Sequence, residues 1–250
     1  MQLLTKATSG AQEVSVYEAN QLYGEIGKFR FLQFSDDAIQ GAIDLKEPKR
    51  IVLEYPRAMI HLMERNNPAF NDVFIIGHGI GTIAGHYPNK RFVVAEIDET
   101  VIELSKSYFH YHMDNIRVGD GRQLLGEQEQ GSFDYMILDA FTESGTPYHL
   151  MTLEFMELAV EKLNDRGMLL MNVTGKLKND TLIDAVYTTL KETFMYVKAF
   201  SLKAEHLADA RNIILAGSNC SIAYETMAMA GFYEIGLDEG YVMRDKHEHK

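Results

Sequence analysis

A glycine turn and three carboxylates set the chemistry open to this chain. The run Val73-Phe74-Ile75-Ile76-Gly77-His78-Gly79-Ile80-Gly81 is an apolar strand that breaks into alternating glycines. Glycine has no Cβ, so the backbone can turn sharply and a ligand can approach it closely. A helix starting behind such a turn adds free N–H groups and the positive end of its dipole; a mere tight turn is the plainer reading. Glu96 stands 19 residues past Gly77, at the end of the next apolar run, with Ile97 beside it. An acidic residue about that far on accepts the hydroxyls of a ribose in nucleotide-binding sheets; a solvated strand end is the alternative. A dinucleotide site carries Gly or Ala at the sixth position of the turn. Here that position is Thr82, which favours an adenosyl-sulfonium cofactor, with no pyrophosphate to cradle, over a nicotinamide dinucleotide.

Two more acidic positions follow. Asp120-Gly121 comes just after a short strand-like stretch; its carboxylate suits the exocyclic amine of adenine, or else Gly119 to Gly121 is only a turn. Asp139 ends the apolar run Phe133 to Leu138. At the carboxyl end of a strand, a carboxylate can favour a sulfonium or take a proton from an incoming amine. Asp134, at the start of the same run, is expected to point away, and Asp98 to cap a helix led by Glu99 and Thr100. The loop 142–147, with Gly145 and Pro147, is either a lid or an ordinary connection.

These residues need a scaffold, and the hydrophobic pattern supplies one. Val14 to Asn20, Phe29 to Phe34 and Ala38 to Asp44 read as strands, with Asp36-Asp37 as a turn between two of them. Residues 1–50 are thus expected to form a β hairpin or meander, too small to stand alone. Pro56 is expected to open a helix that stops at Asn66-Asn67-Pro68. From Val73 strands and helices alternate: strands at 73–76, 92–97, 115–118, 133–138, 167–173, 196–200 and 212–216. Helices follow Asp98 and span 150–163 and 181–194, with a short one over 222–230. Such alternation predicts a mostly parallel twisted sheet with helices on both faces, the class I S-adenosylmethionine methyltransferase-like Rossmann fold, over 51–250. The tail from Asp245, with His247 and His249, is expected to fray rather than bind metal.

Composition narrows the partners. The 250 residues include 24 basic and 36 acidic side chains, a net charge of −12. Such a surface repels nucleic acid and favours small cations. A single cysteine, Cys220, excludes an internal disulfide and argues against a zinc site. No apolar run reaches the ~20 residues of a membrane span and no secretory leader is evident, so a cytoplasmic protein is expected, with no metal, nucleic acid or membrane partner.

The run Glu96 to Phe109, then Asp120-Gly121 and Phe133-Asp134 to Asp139, resembles the spermidine and spermine synthases, the aminopropyltransferases. Ala38-Ile39-Gln40 resembles their D-G-x-x-Q hairpin, and Tyr55 their early tyrosine; the likeness covers about residues 14–217. It implies transfer of an aminopropyl group from decarboxylated S-adenosylmethionine to an amine, with release of methylthioadenosine, and a possible homodimer. By similarity Gly77 and Gly79 form the cofactor loop, Glu96 holds the ribose, Asp120 the adenine, and Asp139 assists the amine; Gly81, Ile97, Gly121 and Asp139 are further expected to border the cofactor. Gln40, Tyr55, Thr142 and Glu143 border the small-molecule amine substrate. Four positions differ from the family pattern: Ile80 replaces the aspartate of G-G-G-D-G-G, Thr142 the second aspartate of D-S-[ST]-D, Arg57 the acid of Tyr-His-Glu, and Glu18 the glutamine of Tyr-Gln. Ile80 and Thr142 keep open an S-adenosylmethionine-dependent methyltransferase on the same fold. The missing carboxylates keep open a non-catalytic cofactor-binding or interaction protein.

Overall fold

The computed structural model describes residues 1–9, 12–34, 39–142, 145–203 and 209–246. Asp36, Asp37, Ala38, Glu143, His247 and His249 lie outside them. The N-terminal segment is a four-stranded antiparallel meander, β1 (Gln2–Ser9), β2 (Gln12–Leu22), β3 (Glu25–Phe34) and β4 (Ile39–Asp44), in that order. The sequence reading lacked β1. Its residues, QLLTKATS, have no clean alternation of apolar and polar positions; the ladder along β2 holds them instead. Val14, Val16 and Leu32 pack on Val101, Leu104 and Phe109, so the small sheet buries one face against the larger body. Arg30 reinforces this joint, donating to the Tyr108 carbonyl at 2.7 Å and to Glu18 Oε1 at 2.5 Å.

The body begins with α1 (Glu54–Asn66), which presses Ala58, Met59, Leu62 and Met63 into the core. Pro56 is its third residue rather than its first, in the opening turn where no N–H is needed. There follow β5 (Asp72–Ile76), α2 (Thr82–His86), β6 (Arg91–Glu96), α3 (Glu99–Tyr108), β7 (Ile116–Val118), α4 (Gly121–Gly126), β8 (Phe133–Leu138), α5 (Leu153–Lys162) and β9 (Leu163–Gly175). After them come α6 (Thr181–Thr193), β10 (Tyr196–Ser201), β11 (Arg211–Ser218) and β12 (Tyr233–Ile235). The strands form one sheet in the order β12-β10-β11-β9-β8-β5-β6-β7. From β9 to β7 neighbouring strands are parallel; β11, β10 and β12 extend the edge antiparallel. Helices cover both faces over two cores, the methyltransferase-like Rossmann architecture expected. Among the described residues, no helix is long and apolar enough to cross a membrane.

Three local expectations need correction. The helix after the glycine turn, α2, has five residues, so it offers little macrodipole. The expected helix over 222–230 is a 3-10 turn at Thr226–Ala228 followed by β12. Strand pairing with β10 decides that segment, a contact its local pattern does not reveal. Asp245 is not frayed. It forms a two-pronged pair with Arg122 at 2.7 Å on both oxygens, while Met243 is fully buried.

The chain runs β5–β6–β7 outward on one side, then returns to lay β8 against the other side of β5. Ligands bind at such a switch point, outside the carboxyl ends of the strands. Gly77 ends β5, and Asp139 ends β8.

Candidate active site

At the switch point the Asp139 N–H donates to the Ile76 carbonyl at 2.8 Å, which locks the two strand ends together. Gly77 sits at φ +96°, and a Cβ built there would fall 2.1 Å from the Asp139 carbonyl oxygen. Backbone packs on backbone here, and only glycine allows it. The turn then opens into a cavity of about 920 Å³. Gly77, Gly79, Glu96, Ile97, Asp120, Gly121, Asp139 and Thr142 all border it, as do Gln40 of β4 and Tyr55 of α1. The sheet therefore gathers nearly every residue picked out in the sequence around one space, large enough for a nucleoside with an acceptor beside it. Gly81 is the exception. A Cβ there would meet the Tyr111 ring at 2.2 Å, so Gly81 packs behind the turn, beside a recess of about 20 Å³. Glu143 lies outside the described residues.

Glu96 faces the glycine turn. The His78 N–H donates to its Oε2 at 2.8 Å and the Asp98 N–H to its Oε1 at 3.0 Å. Burial pushes this carboxyl above the ordinary range, and the two amides work against that shift. Each oxygen keeps a further lone pair for a hydroxyl donor. Asp98 caps α3 as expected, accepting from the Thr100 N–H at 2.8 Å.

Asp120 caps α4 through the Gln123 N–H at 3.0 Å, and its other oxygen lies 2.8 Å from His149 Nε2. Burial raises this carboxyl, but hydrogen bonds from Gln123, His149 and Arg122 outweigh it and hold it low. Asp134 points away: it accepts from the Asn71 and Asp72 amides at the far ends of the strands, at 2.8 and 3.0 Å.

Asp139 is held from two sides. The Tyr55 hydroxyl donates to its Oδ2 at 3.0 Å and the Asn172 amide to its Oδ1 at 2.8 Å. Burial pushes its carboxyl up, while both hydrogen bonds oppose the rise. The Tyr55 phenol is itself pushed well above its usual value, first by burial and then by the Asp139 charge. Burial makes the Asp139 carboxylate more basic than a free one despite its two neutral donors, which suits proton transfer from an amine.

Ile80 explains one departure from the family pattern. It is buried in the cluster with Val14, Val16 and Leu32, and a Cβ on Gly41 would sit 2.6 Å from it. The side chain fills the joint between the two sheets. Sequence reasoning missed His149, Leu32, Phe34 and Phe141, which border the cavity, and Asn172. Only Asn172 had a signal: it is the one polar residue in the run Met168 to Val173.

His78 lines the cavity at the turn, its buried ring held by Ser105. Its Nε2 lies 2.7 Å from Ser105 Oγ, whose own proton goes to the Ile102 carbonyl at 2.8 Å. Nε2 therefore carries the hydrogen, and Nδ1 is buried without a partner. Burial, helped by Lys106, lowers its pKa to about 4. Between pH 6.5 and 4 the unfolded chain takes up a proton that the folded one refuses. Stability should therefore fall as pH drops through that window, by about 3 kcal/mol from this residue alone. Urea unfolding of wild type and His78→Gln at pH 7 and 4.5 checks this; the variant should lose most of that pH dependence.

A family model described as the spermine/spermidine synthase domain matches residues 53–206. The chain is 28% identical to a polyamine aminopropyltransferase of Vibrio vulnificus, covering 78% of this chain and 70% of that protein. It is 24% identical to a spermidine synthase of Schizosaccharomyces pombe, covering 88% and 73%. Among solved structures, a probable spermidine synthase from Corynebacterium glutamicum superposes with a TM-score of 0.83 at 19% identity, over 100% of this chain and 99% of that one. With the family model spanning more than half its length, the chain belongs to the spermine/spermidine synthase family.

Proposed function

We infer that the protein is an aminopropyltransferase that moves an aminopropyl group from decarboxylated S-adenosylmethionine to an amine. The observation that carries this is Asp139, held between Tyr55 and Asn172 at the end of β8, in a cavity that Glu96 and the glycine turn share. Family membership and the named relatives support transfer of this kind over methyl transfer or a non-catalytic role. In this reading Gly77 and Gly79 give the nucleoside close backbone, with Ile97 and Gly121 flanking it. Glu96 accepts the ribose hydroxyls on the lone pairs its amides leave free, and Asp120 accepts from the adenine amine. Gln40, Tyr55 and Thr142 border the acceptor amine. When bound, the sulfonium supplies an activated carbon whose bond to sulfur breaks as a neutral thioether departs. Asp139 first orients the acceptor nitrogen, then takes its excess proton. A cytoplasmic, self-associating enzyme acting on a polyamine precursor is the fuller form of this reading.

Purified protein given decarboxylated S-adenosylmethionine and putrescine, or another small amine, should release methylthioadenosine, read by mass spectrometry. Intact S-adenosylmethionine should be the poorer donor. Absence of the thioether with every amine tried would overturn the assignment.

A further inference from the structure

We propose that Asn172 is a positioning residue for the transfer: its amide, fixed on β9, aims the Asp139 carboxylate and stabilises its charged form by N–H donation. This rests on the reading of Asp139 as the proton acceptor. Asn172 lies in a strand that is otherwise apolar from Met168 to Val173 and is 1% exposed. A polar side chain there is costly unless it is bonded. Parallel pairing sets Met171 beside Leu138, so the next residue of each strand, Asn172 and Asp139, stand level at the carboxyl end of the sheet.

The amide is only half satisfied. Its Nδ2 donates to Asp139 Oδ1 at 2.8 Å, while its Oδ1 is buried with no hydrogen-bond partner. An orphaned buried acceptor is costly. Turning the amide over would set its carbonyl against the carboxylate, two acceptors with no proton between them. In the orientation observed the N–H serves the ionised carboxylate, and the unmet carbonyl is the cost of that donation.

The neighbouring groups are neutral or acidic. Tyr55, from α1, occupies the other oxygen. Tyr23, at the β2–β3 turn, acts on Tyr55, and Glu54 acts in turn on Tyr23. From the glycine turn and β6, His78 and Glu96 share the cavity wall. None of these is a cation, and among the described residues no salt bridge reaches Asp139. Two neutral donors thus hold the anion without quenching its basicity.

Two variants test this: N172L, which removes the donor, and the isosteric N172D, which keeps the volume if leucine prevents folding. The titration midpoint of Asp139 is followed by carbon-13 NMR of labelled aspartate, assigned with D139N, and the pH profile of kcat/KM is measured in parallel. N172L should raise the midpoint by about one pH unit, the size of one charge-assisted hydrogen bond. The acidic limb of the profile should move with it. N172D should raise the apparent midpoint further, since two adjacent carboxyls share a proton. A folded variant with an unmoved midpoint and limb would overturn the proposal, even if its Tm fell. The NMR titration needs no turnover, so it decides the hold on Asp139 whether or not methylthioadenosine release supports the transferase reading.

Discussion

Replacing Asp139 by Asn should lower kcat/KM for aminopropyl transfer by about a thousandfold, within the range for loss of a positioned general base. Binding of methylthioadenosine should stay near wild type, because Glu96, Asp120 and the glycine turn are untouched. An amide cannot accept the proton that the nitrogen gives up as its new bond forms. The exchange also disturbs the local hydrogen bonding. Tyr55 and Asn172 both donate to Asp139, one to each oxygen, and an asparagine offers only one acceptor oxygen. One donor would then face an NH2 group, so a stability loss of roughly 1–3 kcal/mol should accompany the loss of rate. Steady-state kinetics, calorimetry with methylthioadenosine and thermal unfolding separate the three effects. A D139N enzyme that turns over at near the wild-type rate would remove Asp139 from the chemistry.

Gly77→Ala should be severely disruptive. The added carbon would lie 2.1 Å from the Asp139 carbonyl oxygen and 2.6 Å from its carbon, at φ +96°. Both neighbours are backbone, so no rotamer change relieves the clash. The ends of β5 and β8 must part, and the Asp139 N–H to Ile76 bond must lengthen or break. A loss of about 3–5 kcal/mol is expected, at the severe end for one substitution. Gly131→Ala provides the control. It also has a positive φ, +63°, but nothing lies within 4 Å of its added carbon, so the conformational strain alone should cost about 1 kcal/mol. Chemical denaturation of the two variants measures the difference. Equal losses would mean that the close approach at the switch point is relieved by a small backbone shift.

Most of the architecture was legible because the alternating strands and helices carry their period in local residues. The apolar runs ending at Ile76, Glu96 and Leu138 are strands that place Gly77, Glu96 and Asp139 at one edge. What failed was local pattern overruled by distant pairing. β1 exists because β2 lies beside it, and β12 because β10 does. Asp245 looked like part of a charged tail, yet it is fixed by Arg122, 123 residues away in sequence.

Spacing along a chain reports the period of each element, so the acidic and glycine residues at the strand ends could be read from local pattern. How those ends meet came from packing. It turned Glu96 toward the His78 amide, sent Ile80 into the joint between the sheets and put Gly81 behind the turn rather than in the cavity. It also brought Tyr55 and Asn172 onto the two oxygens of one aspartate. Those contacts depend on strand order and packing across three separate elements, and no local window of residues contains that information.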